Sequence, residues 1–93
     1  MKIINGYEIK QGADLRGANL WGANLQGANI DLSCWPLWCG SIGVKIDKRI
    51  AVQLAYHFCA IECNDPEFIE ARKALLPLAN QFHRIPEVDK LED

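Results

Sequence analysis

Four cysteines and two histidines are the residues best equipped for chemistry in this 93-residue chain. Cys34, Cys39, Cys59 and Cys63 offer the four soft ligands of a structural zinc site, with His57 or His83 as substitutes. Cys59 and Cys63 are four apart, so a helix would bring both to one face. Cys34 and Cys39 enclose Trp-Pro-Leu-Trp, a looser spacing than a zinc knuckle uses. The same side chains suggest a cysteine–histidine nucleophile. His57 and Cys59, however, are two apart and diverge on a helix, and no catalytic signature surrounds them. Free cysteines commonly act as small buried hydrophobes. The expectation is no enzyme, no cofactor and reduced, metal-free cysteines. A structural zinc module is the third-ranked reading.

The elements that must position these residues start from one stretch, residues 13–32. It reads Ala13-Asp14-Leu15-Arg16-Gly17, Ala18-Asn19-Leu20-Trp21-Gly22, Ala23-Asn24-Leu25-Gln26-Gly27 and Ala28-Asn29-Ile30-Asp31-Leu32. A period of five suits neither a helix nor a flat strand. It fits a chain that turns a corner once per unit, with Gly permitting the corner and Asn or Asp bonding the local backbone. Leu15, Leu20, Leu25 and Ile30 then point inward, and Arg16, Trp21, Gln26 and Asp31 point outward. Trp21 is the most suggestive of these, because an exposed tryptophan is a common contact anchor. The plainer alternative is that the hairpin or the C-terminal helices cover it. With Arg16, Gln26, Trp35 and Trp38 it makes up the candidate binding set. Trp35 and Trp38 are expected to pack over the end of the coil.

These four units resemble the pentapeptide-repeat family, whose pattern is Ala-(Asp/Asn)-Leu-x-Gly. The resemblance implies a right-handed quadrilateral β-helix, one unit per side and four per coil. The segments Trp35–Ser41, Gln53–Cys59 and Leu78–Arg84 further resemble small pentapeptide-repeat proteins carried by bacteriophages and prophages. That likeness implies an accessory protein that binds and inhibits a host protein, such as a defence component. Long quinolone-resistance members of the family mimic DNA and bind gyrase with many stacked coils. Here Arg16, Trp21, Gln26 and Asp31 fall on four sides of about one coil and cannot form such a stripe.

The flanks complete the expected mixed β and α fold. Asn5-Gly6 between apolar neighbours predicts an N-terminal β-hairpin over residues 2–9. Ser33-Cys34-Trp35-Pro36-Leu37 reads as a decayed fifth unit, and Val44-Lys45-Ile46 as a short strand. Asp47 predicts an N-cap for a helix from Lys48 to Cys63, apolar on two sides and therefore buried between layers. Its stripes are Ile50, Leu54, His57 and Ile61, and Val52, Tyr56, Cys59 and Cys63. Asp65-Pro66-Glu67 starts a second helix, which Pro77 should kink or break near Lys73–Leu76. An acidic tail, Glu87–Asp93, should fray. The expected division is residues 1–46, hairpin and coil with its cap, and residues 47–93, a helical pair.

Charge and length bound the function. Residues 1–46 hold four basic and three acidic side chains, and residues 47–93 hold six basic and nine acidic. Neither part is basic enough for a nucleic-acid footprint. With no long apolar run and no signal-peptide pattern, a cytoplasmic protein without membrane contact is expected. A nucleotide-like ligand stacked on Trp21, Trp35 or Trp38 is the alternative to a host-protein partner. One coil leaves open edges in a chain with little apolar surface to spare, which predicts a homodimer.

Overall fold

The computed structural model describes residues 2–92. It divides into two units, residues 1–47 and 48–93. The first opens on a hairpin of β1 (Lys2–Ile4) and β2 (Tyr7–Ile9), antiparallel with Ile4 opposite Tyr7. Asn5 and Gly6 at its tip have φ of 50° and 84°. Two consecutive positive φ values match the twist of the strands, and Asn-Gly reaches them at low cost.

Residues 13–33 turn a corner in every unit. The N–H that opens each unit donates three residues back to the Leu or Ile carbonyl. Ala18 reaches Leu15 at 3.0 Å, Ala23 reaches Leu20 at 2.8 Å, Ala28 reaches Leu25 at 3.0 Å and Ser33 reaches Ile30 at 3.1 Å. Inside each unit the second-slot side chain closes a smaller ring. Oδ1 of Asp14, Asn19, Asn24 and Asn29 accepts the N–H of Arg16, Trp21, Gln26 and Asp31 at 3.2, 3.1, 3.0 and 3.0 Å. Short Asx side chains are well suited to reach the N–H two residues on. Gly22 and Gly27 occupy the third turn position with φ of 66° and 81°. A turn with positive φ only at that position favours glycine there.

The chain then runs back alongside itself. Leu15 N–H donates to the Cys34 carbonyl at 3.1 Å, and Cys34 N–H donates to the Ala13 carbonyl at 2.9 Å. Further on, Leu25 N–H donates to Lys45 at 2.8 Å and Lys45 N–H donates to Ala23 at 2.7 Å. Both pairings are parallel, Asp14 with Cys34 and Asn24 with Lys45. The return distance is therefore 20 residues at the first and 21 at the second. The extra residue enters between Cys34 and Gly40, since Leu20 already pairs with Gly40, at 2.7 Å. Leu15, Leu20, Leu25 and Ile30 are enclosed, at 1, 0, 0 and 4% exposure.

Two expectations for this unit are corrected. Val44–Ile46 is not a strand: Lys45 makes only an isolated bridge, because its partner Asn24 lies on a side too short to extend the ladder. Asp31 does not point outward like its counterparts but is buried. Its carbonyl takes the Gly12 N–H at 2.8 Å, so the turn before the first unit lies against that corner.

The second unit pairs α1 (Lys48–Cys59) with α2 (Pro66–Ala79). Helix α1 stops four residues short of Cys63. Its last carbonyl, on Cys59, accepts Arg72 Nε at 2.7 Å, so a side chain from α2 satisfies a group that another turn would have used. Nor is α1 apolar on two buried sides. Ile50, Val52, Gln53, Ala55, Tyr56 and Cys59 are buried, whereas Leu54 is half-buried and His57 and Ile61 are exposed. Helix α2 starts as its sequence demands: Asp65 Oδ1 accepts Glu67 N–H at 2.8 Å and Phe68 N–H at 3.2 Å, with Pro66 in the first turn. It runs through Pro77 and ends at Ala79. Proline there falls in the last turn, with only two helical residues beyond it.

The core of this unit is Val52, Ala55, Tyr56, Cys59, Leu76, Ala79 and Phe82. The Tyr56 and Phe82 rings stack at 4.6 Å. The tail is held down over residues 87–92, and Asp93 lies outside the described residues. Tyr56 Oη donates to the Asp89 carbonyl at 2.7 Å. Asn80 brackets Leu91, accepting its N–H at 2.8 Å and donating to its carbonyl at 2.9 Å. Val88 and Leu91 pack on the core.

Two substitutions test these assignments by thermal or denaturant melting. Leu20→Asp, which buries a charge at a fully enclosed site, should cost several kcal/mol and abolish the cooperative transition of the first unit. Asn80→Ala should cost about 1–3 kcal/mol by removing both bonds to Leu91.

Candidate binding surface

The corner turns decide which side chains reach solvent. Trp21 sits one residue before Gly22, its N–H is taken by Asn19, and its indole is 64% exposed. The return of the chain adds neighbours to it. Gly22 N–H donates to the Ile42 carbonyl at 3.2 Å, which brings Ile42, itself 52% exposed, beside the Trp21–Gly22 corner. Trp38 stands on the same side of the first unit. Its indole Nε1 donates to the Ala18 carbonyl at 3.2 Å, which fixes the ring while leaving it half exposed.

Gly40 makes that placement possible. A Cβ at Gly40 would collide with the Trp38 ring and lie 2.7 Å from the Ala18 carbonyl oxygen, which is backbone and has little room to yield. Residue 40 must therefore lack a side chain for Trp38 to lie flat here.

The other candidates are less available. Arg16 is clamped on Asp14, with Nε at 2.9 Å from Oδ1 and Nη2 at 2.7 Å from Oδ2. The bonded guanidinium holds the Asp14 carboxyl below its usual range and raises Arg16 in turn. Any stability from Asp14 is thus present above the ordinary carboxylate value and lost as pH falls through the lowered one. Both groups are in solvent, where such a pair contributes little. Gln26 is exposed, and its backbone N–H is held by Asn24. Trp35 is half-buried beside the buried Pro36. Ile42, Leu32 and Leu37 were missed from sequence, although all are exposed and Leu37 is 92% exposed. Aligning residues 33–46 on the repeat units from residue 13, with one residue inserted, would have shown Ile42 beside Trp21.

All four cysteines are free. Cys34, Cys39 and Cys63 are exposed, and Cys59 is buried. Burial pushes the Cys59 thiol up, with the nearby Arg72 opposing. Among the described residues no group of three or more His, Cys, Asp or Glu could hold a metal ion. His57 and His83 both lie against the Phe82 ring. No helix among the described residues is long and apolar enough to cross a membrane.

Residues 11–33 match the model of the family described as pentapeptide repeats, eight copies. The match covers a quarter of the chain and coincides with the corner-turning segment. No curated protein and no solved structure matches.

Gly40→Ala should destabilise the first unit by about 1–3 kcal/mol in a denaturant melt, through overpacking. Trp38→Phe, which removes the bond to Ala18 together with part of the ring that lies on Gly40, should cost about 1–3 kcal/mol. In a thiol titration of the native protein, Cys34, Cys39 and Cys63 should react at once and Cys59 only on unfolding.

Proposed function

We propose that the chain is a non-enzymatic protein-binding module whose contact face is the Trp21, Trp38 and Ile42 surface. Its repeat segment is read as a short right-handed four-sided β-helix of little more than one coil. Support for that architecture comes from the family match, the corner in every unit and the parallel return after 20 or 21 residues. The observation that carries the binding role is the exposure of Trp21 at 64%, on a corner held by two hydrogen-bonded rings. A solvent-facing indole on a fixed corner, flanked by further apolar surface, is the usual anchor of a protein contact. Following the likeness to phage-borne pentapeptide-repeat proteins, the target is a cytoplasmic protein of a bacterial host whose action is blocked. The exposed Leu32 and Leu37 favour a homodimer as the free form, because apolar surface of this kind is commonly covered by a second copy.

The experiment is affinity capture from bacterial lysate with the wild-type chain and Trp21→Ala in parallel. The wild type should retain a host protein that Trp21→Ala retains at least about tenfold less, the loss expected of a central aromatic anchor. Equal capture by both, with Trp21→Ala melting like the wild type, contradicts the assignment of the face. Release of a nucleotide-like absorbance on denaturation would favour the small-ligand alternative instead.

A further inference from the structure

The second unit carries a cleft of about 760 Å³ that the repeat surface does not involve. It opens where α1 ends and the first half of α2 passes, and Ile61, Phe68, Ile69 and Leu91 give it apolar walls. Arg72 and Lys73 supply two cations at its edge. Arg72 is not a loose surface arginine. It is half-buried, and its Nε is spent on the Cys59 carbonyl at 2.7 Å, which fixes the plane of the guanidinium. Its two Nη groups remain, and neither Arg72 nor Lys73 forms an ion pair among the described residues.

We infer that this cleft binds a peptide segment of a partner protein that presents one carboxylate between apolar side chains. A guanidinium held by its Nε keeps its terminal pair of N–H groups in the geometry that takes a carboxylate. Lys73 adds a second positive charge beside it. The walls explain the rest of the specificity. Ile61 and Ile69 are 57% and 42% exposed, so the cleft is too open to enclose a small apolar molecule but suits the side chains of an extended peptide. Arg72 and Lys73 against Glu62 leave the rim one net positive charge, which a single carboxylate neutralises.

The test is a titration of the full chain, followed by amide chemical shifts, with a blocked tetrapeptide of leucine, glutamate, leucine and leucine. Its partner probe carries glutamine in place of glutamate, and a third arm uses inorganic phosphate. The acidic peptide should give saturable shifts at Ile69, Arg72 and Lys73. The glutamine peptide should bind about tenfold more weakly, the loss expected when one charge-assisted pair is removed. Lys73→Gln, at an exposed position, should weaken the acidic peptide severalfold and leave the glutamine peptide unchanged. Equal binding of the two peptides, no saturable shift at millimolar peptide, or tighter binding of phosphate in the cleft would each overturn the proposal. Trp21→Ala should bind the acidic peptide as the wild type does, so failure here is separable from failure at the repeat face.

Discussion

The first unit depends on a turn closed twice. Each corner is fixed by a backbone bond from one unit to the Leu or Ile carbonyl before it, and by an Asn or Asp side chain folded onto the N–H two residues on. Together they satisfy backbone groups that a chain with almost no strand pairing would otherwise leave exposed. They also set the direction of the third and fourth side chains in the first three units. With the third residue turned in and the fourth turned out, Leu20 is enclosed while Trp21, next along the chain, stands in solvent. The exposed place of Trp21 is thus a by-product of the same geometry that builds the interior.

Departures from the rule are informative. Leu32 occupies a glycine slot at φ 63°, where a leucine costs about 1–2 kcal/mol relative to its preferred backbone. It lies 71% exposed, so no burial of its side chain offsets that strain. Gly40 shows the converse case: it is buried, its φ is ordinary, and it is required by the closeness of Trp38 and the Ala18 carbonyl rather than by its own backbone. One glycine slot has lost its glycine, and one glycine outside the repeat is held in place by its neighbours.

Much of this was legible in the sequence because it is local. The hairpin at Asn5-Gly6, the corner in each unit and the Asp65-Pro66 helix start are all decided within four or five residues. What was not legible is decided by partners far along the chain. Helix α1 ends at Cys59 because Arg72 takes its last carbonyl, thirteen residues on. The tail is held as far as Leu91, because Asn80 and Tyr56 bind it at Leu91 and Asp89. Asp31 is buried, and its carbonyl is taken by Gly12 from the turn before the first unit, which its own repeat unit does not contain. The candidate site divides along the same line. The outward place of Trp21 follows from its slot, but the company of Ile42 and the tether of Trp38 arise only from the return of the chain.

That return is the claim on which the rest stands, and through-hydrogen-bond scalar couplings measure it directly. In isotope-labelled protein, the account predicts couplings from the amide nitrogens of Leu15, Leu20 and Leu25 to the carbonyl carbons of Cys34, Gly40 and Lys45 respectively. Couplings from these nitrogens to carbonyls at any other separation, or amides that exchange as fast as those of an unpaired chain, would contradict it.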